Sequence, residues 1–343
     1  MIESLYRVFG LRINTDDIDP PQTIGAVTSY NVRDNISVER EVTGGDIYAS
    51  KTTLTSHDES YELTSLNIDS VADIVGTTGL CLKSDNTKNG AEFFLTRLDA
   101  CQPGASNAPN NIKYQSRATA DEVENYGLIW PGTLSIPHNG NSTFSFTITP
   151  LGKNNNAGIL TEKDVSLPDI PDNGNRFGMG SLTINGTRFY GKQSVDINFG
   201  VSIIKESADG STYPEWVNID KVLSVITVRG IQPEWALDEN IPRGGKSFKH
   251  INTEIIARKR NDSLTGYVDE SENEHLVINA AGKAFITDIA TGNEGSPTQT
   301  VLMLYVERDG ANAPLIMNTN SSASVDGGGP DDQGDDPIGP PAG

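Results

Sequence analysis

Cysteine is almost missing from this chain: Cys81 and Cys101 are the only two among 343 residues. No Cys-x-x-Cys pair occurs, and histidine is confined to His57, His138, His250 and His275. The spacing of a zinc site or a disulfide framework is therefore not present, and whether the two cysteines pair is left open. No uncharged apolar run approaches the roughly 18 residues of a membrane-spanning helix. The first ten residues lack the apolar centre of a secretory signal, so a cytoplasmic site of synthesis is expected. Positive charge is also short, with 26 Lys and Arg against 46 Asp and Glu, a formal net charge of −20. Such a surface does not grip nucleic acid by neutralising phosphates. It suits solubility, or the wall of a conduit that repels DNA.

Helix-forming text is equally scarce. Thr, Ser, Asn, Asp and Gly are abundant, and apolar residues, 36% of the chain, fall in alternation. That combination predicts strands joined by turns. Along 194–206, Val195, Ile197, Phe199, Val201 and Ile203 share one face, and Ser194, Asp196, Asn198 and Ser202 the other, the period-two pattern of a half-buried strand. Further strands are expected at 142–149, 222–231, 275–279, 283–289 and 299–307. One short helix is expected after Asn67, with Asp69 and Ser70 capping Val71–Val75 before Gly76. The fold class is all-β with one or two short helices. Turn-rich text divides the chain into a domain at 1–150, a connection at 151–178, a second domain at 179–317 and an acidic Gly/Pro/Asp tail at 318–343.

The first half restates the second. With Ser29 placed on Ser194, Tyr30, Val32, Ile36 and Val38 fall on Val195, Ile197, Val201 and Ile203 without a gap. The turn Thr43–Asp46 falls on Ala208–Ser211, and Tyr48 on Tyr213. After small gaps, Ala91–Arg97 matches Thr253–Lys259, Thr133–Ile136 matches Ala284–Thr287, and Ser142–Ile148 matches Gln299–Val306. A shared strand, turn, Tyr and strand in one ungapped block points to internal duplication.

Chemistry-bearing motifs fail on inspection. Gly178-Met179-Gly180 has no third glycine and precedes a strand pattern, so it is no dinucleotide loop. Gly244-Gly245-Lys246-Ser247 lacks the phosphate loop's first glycine, because Asn240 stands there. Asp16-Asp17-Ile18-Asp19 lacks the spacing of a calcium loop. His57-Asp58-Glu59-Ser60 holds triad residue types, but adjacency in sequence does not supply triad geometry. No catalytic, cofactor or metal residues are expected, and no enzyme.

The order strand, Asp/Gly turn, Tyr(-Pro), strand, short helix, then further strands resembles the tail tube proteins of long-tailed phages. Two stretches carry the resemblance: Asn185–Gly200 leading to Asp209–Pro214, and Glu41–Tyr48. It covers about 25–150 and 180–308. The N-terminal copy departs from the pattern with Ala49 where the other has Pro214. The resemblance implies two tandem β-sandwich domains whose inner sheets join into a ring-shaped barrel. Six domains close each ring, so a duplicated chain would close as a homotrimer. About four strands from each domain, about 4.8 Å apart and tilted about 40°, give a barrel about 48 Å across, wide enough to pass duplex DNA. The implied role is a virion structural protein: a tail tube subunit assembled in the host cytoplasm, with itself and tail-end proteins as partners and DNA passing without specific binding. Another virion or surface β-sandwich, a capsid decoration or adhesin-like module, is the alternative. Gly44, Gly45, Asp46, Tyr48, Asp209, Gly210, Tyr213 and Pro214 are expected in inter-subunit loops. Asn31, Arg33, Ser37, Glu39, Asp196, Asn198 and Ser202 are expected to line the lumen.

Overall fold

The computed structural model describes residues 5–15, 18–42, 44, 48–82, 90–98, 111–116, 127–152, 159–170, 172, 174–208, 210–231, 241, 250–290, 299–308, 310 and 313–322. Among these, strands dominate and one helix is present. The architecture is sandwich-like and all-β, built on large antiparallel sheets.

In the first half, β1 (Leu5–Thr15), β2 (Ile18–Ile24), β6 (Gly90–Leu98), β7 (Ile112–Ser116) and β10 (Ile159–Lys163) form a five-stranded sheet in the order β10-β7-β6-β1-β2. β3 (Val27–Glu41), β4 (Lys51–Ser65), β9 (Thr143–Pro150) and β8 (Gly127–Pro137) follow one another in a second sheet, with the short β5 (Leu80–Cys81) against β8. Period-two patterning turns one face of each sheet inward. Tyr61 of β4 meets Phe93 of β6 with ring centroids 4.9 Å apart, and Phe93 stacks on Tyr114 of β7 at 4.7 Å. The helix α1 (Ile68–Val75) buries Ile68, Val71, Ala72, Ile74 and Val75. It starts one residue before the expected Asp69-Ser70 cap. Asn67 is its N-cap, without a capping side-chain bond, and Gly76 closes it at φ 64°, a left-handed conformation that glycine adopts freely.

In the second half, β11 (Phe177–Ile184), β12 (Thr187–Arg188), β17 (His250–Lys259), β18 (His275–Ala290) and β20 (Leu315–Ser321) repeat the first pattern. β11 pairs β12 and β17, β17 pairs the start of β18, and that start pairs β20. β13 (Lys192–Asn198), β16 (Val225–Gly230), β19 (Gln299–Val306) and the end of β18 repeat the second. β18 thus occupies the positions of both β7 and β8. It crosses between the layers at Gly282, which pairs with Ile251 on one side and Val306 on the other.

The correspondence extends to single residues. Val32 pairs with Tyr61, as Ile197 pairs with Ile226; Ile36 pairs with His57, as Val201 pairs with Val222. Both hairpins shift register at the same two places, between Val27 and Ser29 or Lys192 and Ser194, and between Ser37 and Val38 or Ser202 and Ile203. A β-bulge adds one residue and bends the strand, so matched bulges at matched numbers are strong marks of one repeated plan. β14 (Val201–Glu206) and β15 (Trp216–Val222) form a separate two-stranded arm in the second half, where β3 and β4 run on unbroken.

Two expectations need correction. Residues 159–163, expected in the connection, form β10 and pair with β7, so the first half runs to Lys163. The closing strands align differently from the sequence match: Leu134 pairs with Phe144, and its positional counterpart is Ile289, paired with Thr300, not Phe285. Both strands carry a one-residue bulge at the corresponding place, between Pro131 and Leu134 or between Ile286 and Asp288; the sequence match lies four residues away, an even shift that keeps side-chain alternation in phase.

Candidate assembly interface

The two halves are joined edge to edge. β13 pairs antiparallel with β8 over Asn198–Ser194 against Thr133–Pro137. The four-strand sets therefore fuse into one eight-strand run, β18-β19-β16-β13-β8-β9-β4-β3. Within the described residues, β3 pairs only with β4, and β18 beyond Lys283 pairs only with β19. These open edges are the positional counterparts of the two strands that meet inside the chain, since β3 answers to β13 and the end of β18 to β8.

Burial differs sharply between the counterparts. Val195, Ile197 and Phe199 are fully buried, and Phe199 stacks on Phe144 at 5.3 Å. The equivalents of Val195 and Ile197, Tyr30 and Val32, are 37% and 42% exposed; Ile36 and Val38 are more exposed still, where their equivalents Val201 and Ile203 are half-buried. Both strands carry an apolar stripe, broken in the first copy by Asp34 where the second has Phe199; in the second copy the neighbouring half covers it.

The arm of the second half also rests on the first. Val217 of β15 packs with Leu128 and Leu151 in a small core flanked by Ile203, Trp130 and Cys81. His57 N–H donates to Thr212 O at 2.7 Å, and Gly152 N–H to Pro214 O at 2.8 Å. Lys205 pairs with Asp58 at 2.6 Å. Tyr213 is half-buried, its ring 5.0 Å from that of His57. This expected inter-subunit tyrosine therefore meets the first half of its own chain. Tyr48, its counterpart, is 73% exposed, and Gly44 and Gly210 are exposed. Gly45, Asp46, Asp209 and Cys101, along with most of the tail, lie outside the described residues; Cys81 is a free thiol.

Asn31, Arg33, Asp196 and Asn198 all lie on one face of the joined sheet. Asn31 is opposite Glu62, and Asp196 lies between Ser135 and Thr227. Arg33 pairs with Glu62 at 3.1 Å, and Arg229 with Asp196 at 2.6 Å. Ser135 Oγ donates to Asp196 at 2.6 Å. This face is hence polar, with Glu62 and Asp196 each paired to an arginine. Ser37, Glu39 and Ser202 sit on the arms, beyond the stretch where β4 pairs β9 or β13 pairs β8.

One group of metal-capable side chains occurs among the described residues: Asp34, His57 and Glu59. Burial pushes the Glu59 carboxyl above the ordinary carboxylate range, partly offset by His57 and by the hydroxyl of Tyr61, which donates to it at 3.2 Å. Burial, followed by the nearby Glu59 charge, raises the Tyr61 phenol well above its usual value. Elsewhere, Arg176 holds the Asp172 carboxyl below its usual range, and also donates to Asn67 at the start of α1.

No helix among the described residues is long and apolar enough to cross a membrane. No protein-family model matches the chain, and no curated protein matches it.

Proposed function

We propose that the chain is a structural, non-enzymatic subunit that closes head to tail into rings, which stack into a hollow tube of the phage tail tube kind. One observation carries the reading: the β13–β8 junction already joins two copies of the repeated plan, and leaves the same two edges open at the ends of the sheet. Open edges must be paired, covered or closed. A head-to-tail contact that repeats one rotation forms a ring when the rotation closes on itself. Three duplicated chains supply the six repeats of the resembled family.

The internal junction specifies the external one. Ile197 opposite Leu134 becomes Val32 opposite Ile289 of the next copy. Asn198 opposite Thr133 becomes Arg33 opposite Asp288, a basic residue against an acidic one. The exposed stripe of Tyr30, Val32, Ile36 and Val38 would be covered as its counterpart is. Tyr48 would approach Val222 of the neighbour, as Tyr213 approaches His57. The matched charges of the polar face suit a lumen that neither binds nor strongly repels DNA.

Asp196 faces Ser135 across the internal junction, so Asn31→Cys with Ala290→Cys occupies the equivalent external pair. In a background without Cys81 and Cys101, oxidation is expected to give covalent ladders ending at three chains. Monomer only, under conditions where the chain assembles, would overturn the register.

A further inference from the structure

We infer that Asp34, His57 and Glu59 form a binding site for a divalent transition-metal ion of the zinc class. Asp34 and Glu59 are direct cross-strand partners in the β3–β4 hairpin. His57 lies two residues before Glu59, so all three side chains leave the same face. One donor atom from each lies within 4.8 Å of the others. Zinc takes imidazole nitrogen and carboxylate oxygen at about 2.0–2.2 Å. One imidazole with two carboxylates is a donor set for zinc, manganese or cobalt, with positions left for water.

A second observation concerns His57 itself. Its Nε2 has no solvent-accessible surface and makes no hydrogen bond of acceptable geometry. Yet it contacts the Asp34 carboxylate and lies 3.4 Å from Glu59 Oε1. A proton on Nε2 satisfies one acceptor along one direction, whereas a metal ion bonds radially to all three. The support around the trio resembles the outer shell of a metal site. Tyr61 Oη holds the other oxygen of Glu59, and the Tyr213 ring covers the imidazole. Asp58, on the opposite face, is engaged by Lys205.

The repeat supplies a control. The counterparts of Asp34, His57 and Glu59 are Phe199, Val222 and Ser224, none of them a carboxylate or imidazole. The same hairpin plan therefore forms without the trio, which is not a requirement of the fold. The site belongs to one chain and stands whether or not the chain forms rings.

The test uses the full chain, stripped with a chelator and titrated with Zn²⁺ by calorimetry at neutral pH and about 0.15 M salt. One ion per chain is expected, with affinity at least tenfold weaker in Asp34→Asn and in His57→Gln. Co²⁺ should give visible ligand-field bands in the wild type that His57→Gln removes. Asp34 is exposed, so Asp34→Asn tests the site without disturbing the His57–Tyr213 packing. Ca²⁺ controls for diffuse attraction to an acidic protein, and its binding should not depend on His57. Zinc binding that both variants retain unchanged, or no stoichiometric binding at all, would overturn the site.

Discussion

At the scale of the residue, identical positions in the two halves do different work because their surroundings differ. Ile197 is fully buried at the internal junction, while Val32, at the same place in the first half, is 42% exposed. Ile197→Ala should destabilise the isolated chain by about 2–5 kcal/mol, as core truncations do. Val32→Ala should cost under about 0.5 kcal/mol there yet weaken self-association; denaturant unfolding and sedimentation read the two effects. Gly282 marks the crossing of β18 between layers, and a Cβ there would lie 2.1 Å from Tyr305 O. Backbone cannot yield as a side chain can, so Gly282→Ala should lower thermal stability by about 1–3 kcal/mol, the usual range for overpacking. The Asp172–Arg176 pair adds a pH dependence. Its carboxyl pKa is lowered in the folded chain, so the contribution is present above the ordinary value of 3.8 and fades as pH falls through the folded value. Asp172 is largely solvent-exposed, which limits the effect to under about 1 kcal/mol. The melting temperature of Asp172→Asn should fall slightly below wild type at pH 7, and the two should converge only as pH falls below the lowered folded value.

At the scale of the element, strand periodicity and turn text are strong local signals, and much of the fold was legible from them. The ungapped match of Ser29 onto Ser194 holds through both strands of the hairpin and both bulges. The match of Ala91–Arg97 onto Thr253–Lys259 also agrees with strand pairing, since β1 and β11 meet them in the same register. What failed has a common cause. β10 is a five-residue edge strand in turn-rich text, and its partner β7 lies across a long stretch of chain. The closing strands were misplaced by four residues, Phe285 standing for Ile289, and an even shift leaves side-chain alternation in phase. The Asp34–His57–Glu59 group was hidden for a related reason: His57 and Glu59 are close in sequence, but Asp34 reaches them only through cross-strand register.

At the scale of the whole molecule, the assembly proposed above has a duplicated chain use one copy of its interface on itself. That explains why β13 is covered and β3 is not, and why Tyr213 lies against His57 while Tyr48 is exposed. Neither fact was visible in the sequence, where Tyr30 and Val32 read like Val195 and Ile197. The eight-strand run has matched open edges, and the stripe of exposed apolar residues along β3 is the kind of patch that marks a contact surface. Native mass spectrometry of the purified chain across a concentration series tests this most directly. The account predicts a closed species of three chains, with higher masses in multiples of three as rings stack. A chain that stays monomeric at every concentration, or that forms open series of dimers and tetramers, would contradict it.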